Sequence, residues 1–301
     1  MIGPRGKLAL GLGLGIVLVL VFALTAFSKI RSDTDLSPVT SPPAANAVRP
    51  LNNNCSGGYV TFTFDDGPKV LPQGDTPLVI STLVKLHLTA VFFVQGTTDP
   101  PQTPSKRNFL IREEVRDGFS VQNHTWDHAD WTGQTMHTTP LTLAQVKSEL
   151  ERGAKFIISE GAPAPYLYRP PFDDVTPAKN AVAASLGERL VMSYGEPGHG
   201  IIDSQDWRRM LTGDQIAYNV IHGYKDEAGN WVPGLQNGSV IGYHDSMSGT
   251  VVPSAAESLQ PIVDYMNAHH LCSTNTVRPD ATGGVVPNIP VAKIPFGRGK
   301  S

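Results

Sequence analysis

The sequence predicts an α/β protein in which parallel strands alternate with helices around a closed or nearly closed barrel. Six short apolar runs typical of strands are each followed by a segment with the periodicity of a helix. Asp65, His124, Arg169 and His244 stand at the carboxyl ends of four of these runs. Because a β/α barrel carries its functional groups at the carboxyl ends of its strands, this placement supports the barrel.

The predicted elements follow one another in a regular order. The strands are expected at 59–64, 90–94, 119–123, 166–169, 190–193 and 240–244. The helices are expected at 78–87, 107–117, from 142 onward, 176–187, 212–222 and 254–270. Thr76 is the expected N-cap of the first helix, with Pro77 in the first helical position. Thr142 and Gln145 have the spacing of a capping box, and Gly187 ends its helix.

The composition is that of a globular protein and restricts its partners. With 301 residues, 40% hydrophobic and 17% charged, the chain has room for one large domain. Its formal net charge is -3, and it has no long run of Lys and Arg. A protein that binds a nucleic acid duplex or an anionic membrane surface needs a patch of basic residues. We therefore expect no nucleic acid partner and a neutral substrate. We also expect a monomer.

The first 54 residues are predicted to precede the folded domain. Residues 8–27 are apolar or Gly except Thr25, a run of about twenty, which is long enough to cross a bilayer. Ala26-Phe27-Ser28 would also pass as a cleavage site. Residues 1–31 are therefore interpreted as a membrane anchor or a cleaved signal peptide, the anchor being favoured. A Pro- and Ser-rich linker follows at 32–54, the folded domain covers 55–276, and the tail at 277–301 is expected to be irregular.

The chain contains two cysteines, Cys55 and Cys272, one near each end of the predicted domain. A lone pair in these positions can join the ends of a domain in an oxidising compartment. We therefore predict a disulfide and an extracytoplasmic location, either anchored to the cell membrane or secreted. Two unrelated buried thiols are the alternative.

Two short motifs supply the groups of a metal site. Asp65 and Asp66 are followed by Gly67-Pro68, and His124 and His128 form the only pair of histidines four residues apart. Two imidazoles and one carboxylate leave positions on a divalent cation open for substrate, which is typical of a catalytic site. Either aspartate can be the third ligand, while its neighbour acts as a base. An ordinary turn is the alternative for Asp-Asp-Gly-Pro.

Five motifs occur in order along 58–276. They are Thr63 to Pro68, His124-x-x-x-His128, Arg169-Pro170-Pro171-Phe172, Asp203-x-x-Asp206-Trp207 and Tyr243-His244-Asp245. This series resembles the polysaccharide deacetylases, the carbohydrate esterases related to nodulation and chitin deacetylases. The resemblance implies a distorted (β/α)7 barrel, the NodB-homology fold. It also implies metal-dependent removal of N-acetyl groups from the N-acetylglucosamine units of chitin, chito-oligosaccharide or peptidoglycan.

The resemblance also implies a role for each motif residue. Asp65 becomes the general base and His244 the general acid. The implied ligands of a divalent cation, zinc or alternatively cobalt, are Asp66, His124 and His128. Arg169 is expected to orient Asp65, and Asp206 is expected to hydrogen-bond His244 and favour its protonated form.

Other residues of the motifs are expected to meet the substrate. The backbone N–H of Phe172 would share the developing oxyanion with the cation. Trp207 would pack beside the Asp206–His244 pair. The sequence departs from the family pattern at Phe172, where Tyr is usual, and at Asp173, where Gly is usual. Since the implied oxyanion donor is a main-chain N–H, we expect activity to survive both changes.

A further departure concerns the acyl group. Gly242 stands where the family usually carries a Leu that lines the pocket for the acetyl methyl. The space could be filled by another side chain, and the candidates are Ile241, Tyr243 and Trp207. Alternatively, the space admits a larger acyl group.

Three other functions are weighed against an N-deacetylase. An esterase that removes O-acetyl groups from a polysaccharide such as xylan would use the same residues. A catalytically idle glycan-binding homologue would keep the barrel, but it has no need of both a base and an acid. Ferrous oxygenases also use two histidines and a carboxylate, but they favour β-rich jelly rolls rather than alternating strands and helices.

Overall fold

A computed structural model describes residues 54–71, 74–97, 104–193, 200–208, 211–245, 254–275, 277–279 and 285–287. The predicted anchor or signal peptide at 1–31, the linker up to residue 53 and most of the tail lie outside these ranges. Within the ranges, none of the helices combines the length and the apolar character needed to span a membrane.

The described part of the chain contains twelve strands, six α-helices and one short 3-10 helix, Pro171–Asp173. The strands are β1 (Gly58–Asp65), β2 (Ala90–Val94), β3 (Ser120–Asn123), β4 (Leu167–Tyr168), β5 (Arg189–Leu190), β6 (Ile201–Asp203), β7 (Gly223–Lys225), β8 (Trp231–Pro233), β9 (Val240–His244), β10 (Leu271–Ser273), β11 (Val277–Pro279) and β12 (Val285–Pro287). The helices are α1 (Thr76–Lys85), α2 (Pro104–Arg116), α3 (Leu143–Ser159), α4 (Pro177–Ser185), α5 (Gly213–His222) and α6 (Ser254–Ala268).

Seven parallel strands form the main sheet, in the order β5-β4-β3-β2-β1-β9-β6, and β10 pairs with the start of β1. The alternation of parallel strands and helices is the predicted one, and it differs from a jelly roll. Of the two expected forms, closed or nearly closed, the described residues do not show the closed one, because no strand pairing there joins β5 to β6. The sheet is a half-barrel. The edge strands β5 and β6 have only two and three residues. They therefore offer few backbone N–H and C=O groups for hydrogen bonds that would close the sheet.

The central strand β1 is buried on both faces, as is typical of parallel sheets. On one face, the ring of Phe64 stacks with those of Phe92 and Tyr243, at centroid distances of 5.2 and 5.4 Å. Thr63 and Asp65 occupy the opposite face because side chains alternate along a strand. The strand therefore carries Asp65 to the inner side of the sheet at its carboxyl end.

The predicted helix starts are largely confirmed. Thr142 caps α3 in a complete capping box with Gln145, and the side chain of Thr176 caps α4. The expectation that Thr76 caps α1 is wrong, because Asp75 occupies the N-cap position. The Thr76 hydroxyl instead donates to Oδ2 of Asp245 at 2.7 Å, which ties the start of α1 to the end of β9.

Several short elements were not predicted. They are β6, the antiparallel pair β7 and β8, β10, and the antiparallel pair β11 and β12. The tail at 277–301 was expected to be irregular, so its two paired strands correct that expectation. Each of these strands has three residues, which is too short for apolar alternation to be recognised.

The predicted disulfide is present. Cys55 and Cys272 are joined, with their Cα atoms 5.3 Å apart, and this bond ties the segment before β1 to β10. The alternative of two unrelated thiols is excluded.

Candidate active site

Five strands deliver the predicted site residues to one edge of the sheet. Asp65 and His244 end β1 and β9 and are paired in register. His124 and Arg169 directly follow β3 and β4, and Asp206 lies on the loop after β6. Parallel strands that are neighbours in a sheet end at the same edge, so residues far apart in sequence converge here.

The metal-ligating set predicted from the sequence comes together. Oδ1 of Asp66 lies 3.2 Å from Nε2 of both His124 and His128. The three ligand atoms all lie within 4.8 Å of one another. A carboxylate oxygen and two imidazole nitrogens are donors that zinc and related divalent cations accept. The residues therefore fit a single divalent cation.

The charge and orientation of these donors suit a cation. Burial raises the pKa of Asp66, but the nearby His128 and the hydrogen bonds with both histidines outweigh this and hold it well below its ordinary value. Nδ1 of His124 lies 2.8 Å from the backbone oxygen of Arg169. Because a carbonyl only accepts, Nδ1 carries a proton, which leaves Nε2 as the nitrogen that faces Asp66 and that would bind a cation once it has lost its own proton.

Unusual backbone conformations aim these side chains. Asp66, Thr125 and His128 have φ angles of 72°, 68° and 58°, a region that residues other than Gly seldom occupy. Gln95, at the end of β2, donates from Nε2 to Oδ1 of Asp66 at 2.8 Å. Sequence reasoning missed Gln95, although its position after a predicted strand was a usable signal.

Asp65 is held by a fully buried arginine. Nη1 of Arg169 lies 2.6 Å from Oδ1 of Asp65 and 2.9 Å from Oγ1 of Thr63. Nε and Nη2 donate to the backbone oxygens of Val191 and Met192. The side chain of Arg169 is 1% exposed, so it is no surface ion-pair partner. A guanidinium bound at so many points can fix the orientation of one carboxylate.

His244 forms a second pair with Asp206. Nδ1 of His244 lies 2.8 Å from Oδ1 of Asp206, and the backbone N–H of His244 donates to Oδ2 at 2.7 Å. Burial alone would lower the pKa of His244, but the charge of Asp206 and its hydrogen bond outweigh it and raise the pKa to about 10. The imidazole is therefore protonated at neutral pH and can donate a proton.

Known proteins resemble this chain in sequence and in fold. The polysaccharide deacetylase family model matches residues 52–191. A solved family 4 carbohydrate esterase from Streptomyces lividans, in complex with acetate, is similar at 29% identity and a TM-score of 0.55, covering 77% of this chain and 98% of that one. Residues 52–191 are therefore a polysaccharide deacetylase domain.

Two curated relatives extend the comparison. A bifunctional xylanase/xylan deacetylase from Cellvibrio japonicus is 32% identical over 78% of this chain and 29% of its own length. A peptidoglycan-N-acetylglucosamine deacetylase, PgdA, from Listeria monocytogenes is 27% identical over 56% of this chain and 31% of its own length. The chain thus spans less than a third of the length of these two relatives.

Phe172 lies at the site expected from the deacetylase motifs. Its ring meets that of His128 edge to face, with centroids 4.7 Å apart. Its φ of 58° places it in a left-handed turn between Pro171 and Asp173. The role of its backbone N–H toward an oxyanion stays a prediction.

Trp207 lies at the rim of the same edge. Its Nε1 donates to Oδ2 of Asp203 at 3.0 Å, and the guanidinium of Arg208 stands 5.0 Å from its ring centroid. The residue is 42% exposed. It adjoins Asp206 in sequence, and its contact with a substrate stays a prediction.

Tyr243 requires a correction. The sequence makes it a candidate to line the acyl pocket of the substrate, but it is fully buried in the core that faces the helices. The hydroxyl of Ser258 lies 3.1 Å from its hydroxyl. Side chains alternate along β9, so Tyr243 points away from the face that carries His244. This burial leaves it no surface for a substrate.

A different residue fills the space that Gly242 leaves. A Cβ added to Gly242 would lie 2.8 Å from both Cβ and the backbone oxygen of Ser193. Both the N–H and the hydroxyl of Ser193 donate to Oδ2 of Asp173, at 2.7 and 2.6 Å. Ile241, like Tyr243, is buried in the core on the other face. Two departures from the family pattern, Asp173 and Gly242, are thus linked through Ser193, which sequence reasoning missed.

Proposed function

We propose that this chain is a metal-dependent hydrolase that removes N-acetyl groups from N-acetylglucosamine units of a polysaccharide and releases acetate. One observation carries the proposal: the Asp66, His124 and His128 set stands beside a buried Asp65–Arg169 pair and a partly buried Asp206–His244 pair. A protein that only binds a glycan needs neither a base nor a protonated acid at the same edge.

Asp66, His124 and His128 would hold the cation, which we propose to be zinc. When bound, it would supply Lewis acidity that polarises an acyl carbonyl and acidifies water. The side chain of Asp66 is 18% exposed and that of His128 is 24% exposed, so the set is open to the surface. This openness fits a hydrolytic site better than a closed structural one.

Asp65 would act as the general base. Arg169 donates one hydrogen bond to Oδ1 of Asp65. Because a carboxylate has about four acceptor positions in total, Asp65 can still accept a proton from water. The fixed guanidinium limits the rotation of the Asp65 carboxylate. Asp65 would take the proton of the attacking water as the water adds to the acyl carbon.

His244 would act as the general acid. Its Nδ1 is engaged by Asp206, so Nε2 is the nitrogen that can reach a leaving group. An amide nitrogen leaves only when it is protonated, and the raised pKa of His244 keeps that proton available at neutral pH. This acid supports an N-acetyl substrate. The backbone N–H of Phe172 would donate to the developing oxyanion, and Trp207 would contact the sugar.

An O-acetyl esterase is the second candidate. The observation that favours it is the 32% identity to a relative named as a xylanase/xylan deacetylase. The same base, acid and cation would cleave an acetate ester.

We propose an extracytoplasmic location for the chain, with residues 1–31 as anchor or export signal. The Cys55–Cys272 bond supports this, because disulfides persist in oxidising compartments.

An acetate-release screen tests the function. Purified chain is incubated with N-acetylated chito-oligomers, peptidoglycan and acetylated xylan, with EDTA and with zinc or cobalt restored; Asp65→Asn is the matched background control. We expect release from the N-acetylated glycans, loss with EDTA and recovery with metal. Release from xylan alone would replace the proposal by the second candidate. Release that withstands complete metal removal would overturn the metal-dependent scheme.

A further inference from the structure

The segment that carries the two histidines is a loop, not a helix. It runs from His124 to His128, and Thr125 and His128 adopt left-handed φ angles. Such conformations are unfavourable for residues other than Gly and persist only when the surroundings fix them. Contacts from other elements must therefore set the separation of His124 and His128.

One side of this loop is held by backbone groups. The N–H groups of Gly96 and Thr97, after β2, donate to the backbone oxygens of Thr125 and Trp126 at 3.0 and 2.6 Å. These bonds fix the carbonyl side of the loop against the end of β2.

The other side is held by one side chain of helix α3. Oε2 of Glu149 accepts hydrogen bonds from the backbone N–H groups of Trp126 and Asp127, at 3.1 and 3.0 Å. These two residues lie between the two histidines. Hydrogen bonds to an ionised acceptor are about twice as strong as neutral ones.

The surroundings of Glu149 fix its own position. The residue is 7% exposed. Nη1 of Arg152 lies 3.8 Å from its Oε1, and the guanidinium of Arg152 stands 4.4 Å from the ring centroid of Trp126. A buried carboxylate is costly unless it is paired and hydrogen-bonded, and this one has both kinds of partner.

We propose that Glu149 is a positioning residue for the metal site: its carboxylate holds the loop in the shape that directs His124 and His128 at one cation. The inference rests on the proposed function, because it concerns the same ligands. Glu149 hydrogen-bonds the backbone N–H groups between the two histidines, so it acts on the ligands through the backbone of the loop.

Zinc affinity, measured apart from activity, tests this role. The dissociation constant of zinc is determined by competition with a chromophoric chelator for the wild type, Glu149→Ala and Glu149→Gln. Loss of residues that orient metal ligands typically weakens binding about 10- to 100-fold, which we expect for Glu149→Ala. Gln keeps an acceptor oxygen without the charge, so Glu149→Gln should weaken zinc binding about 3- to 10-fold.

Val146→Ala is the matched control. Val146 is fully buried on the same helix and packs in a cluster with Leu150. Its truncation should lower the free energy of unfolding in urea and leave the zinc dissociation constant within about 2-fold of the wild type.

Each outcome decides the inference. The inference is overturned if Glu149→Ala folds and binds zinc with wild-type affinity. It is also overturned if Val146→Ala loses as much zinc affinity as Glu149→Ala does. If Glu149→Ala does not fold, Glu149→Gln decides by the same measurement. If the wild type binds zinc tightly and neither Glu149 substitution changes the dissociation constant, this inference fails but the proposed function stands. If the wild type binds no zinc, both the inference and the proposed function are overturned.

Discussion

At the scale of single residues, the Asp206–His244 pair shows how a neighbour sets the chemistry of a side chain. Burial alone would lower the pKa of His244, and Asp206 reverses that effect and raises it to about 10 from an ordinary value of 6.5. The folded chain therefore binds this proton more tightly than the unfolded chain does. The stability it contributes is complete below pH 6.5 and is lost as the pH rises through about 10.

Asp206→Asn tests this coupling. The substitution removes the charge that keeps His244 protonated, so the pKa of His244 should fall and the alkaline limb of kcat/KM should move to lower pH. The profile of acetate release between pH 5 and pH 11 measures it. Asp203→Asn, which removes the carboxylate bonded to Trp207, is the control and should shift the limb less. An unchanged limb in Asp206→Asn would contradict the assignment of His244 as the acid.

Most of the site residues were predictable because they end strands or directly follow them. Asp65, His124, Arg169 and His244 converge for that reason. The direction of Tyr243 was also readable from strand alternation, which points it away from His244. Ser193 was not predictable, because only the folded chain brings it against Gly242.

At the scale of elements, helix α3 docks closely on the loop that carries the histidines. A Cβ added to Gly153 of α3 would lie 2.3 Å from Oδ1 of Asn123 and 3.0 Å from the backbone oxygen of Thr125. The absence of a side chain at residue 153 lets the helix approach the end of β3.

Gly153→Ala should therefore destabilise the protein. In an open helix interior this change stabilises by about 1 kcal/mol. Here the added methyl has no room, and overpacking typically costs about 1–3 kcal/mol. Urea unfolding measures the free energy change, and zinc affinity should fall with it because the loop is displaced. An increase in the free energy of unfolding would show that α3 does not pack as described.

Long elements with clear starts were predictable, and short ones were not. The capping box of Thr142 and Gln145 marks the start of α3 in the sequence as in the structure. The turn between β7 and β8 has Asn230 bonded to Asp226, but the three-residue strands beside it show no alternation. Their pairing depends on the tertiary fold.

At the scale of the whole molecule, a covalent bond ties the two ends of the folded region. Cys55 precedes β1 and Cys272 lies in β10, 217 residues later. The bond lies at the amino end of β1, whereas Asp65 stands at its carboxyl end.

Replacing both cysteines by serine should lower the free energy of unfolding by roughly 2–5 kcal/mol, because the long loop is no longer closed in the unfolded chain. Denaturant unfolding of the variant against the oxidised wild type measures this loss. Zinc affinity should stay unchanged, since the bond is remote from the ligands. Equal stabilities of the two proteins would contradict a stabilising role for the bond.

The sequence predicts the parallel α/β architecture because strands and helices alternate so regularly. It does not predict that the sheet stays open between β5 and β6 among the described residues. Closure depends on backbone pairing between two very short strands, and a sequence pattern carries no signal for that. Arg169 instead joins β1 to the segment after β5 through Asp65, Thr63 and two backbone oxygens.

Metal content measured together with turnover tests the central claim most directly. Wild type, Asp65→Asn and His124→Ala are loaded with zinc, dialysed, analysed for bound metal and assayed for acetate release from chito-oligomers. The account predicts one bound cation per chain in the wild type and in Asp65→Asn, with turnover at least about 100-fold lower in Asp65→Asn, and loss of both metal and turnover in His124→Ala. Undiminished turnover in Asp65→Asn, or a wild type without bound metal, would contradict it.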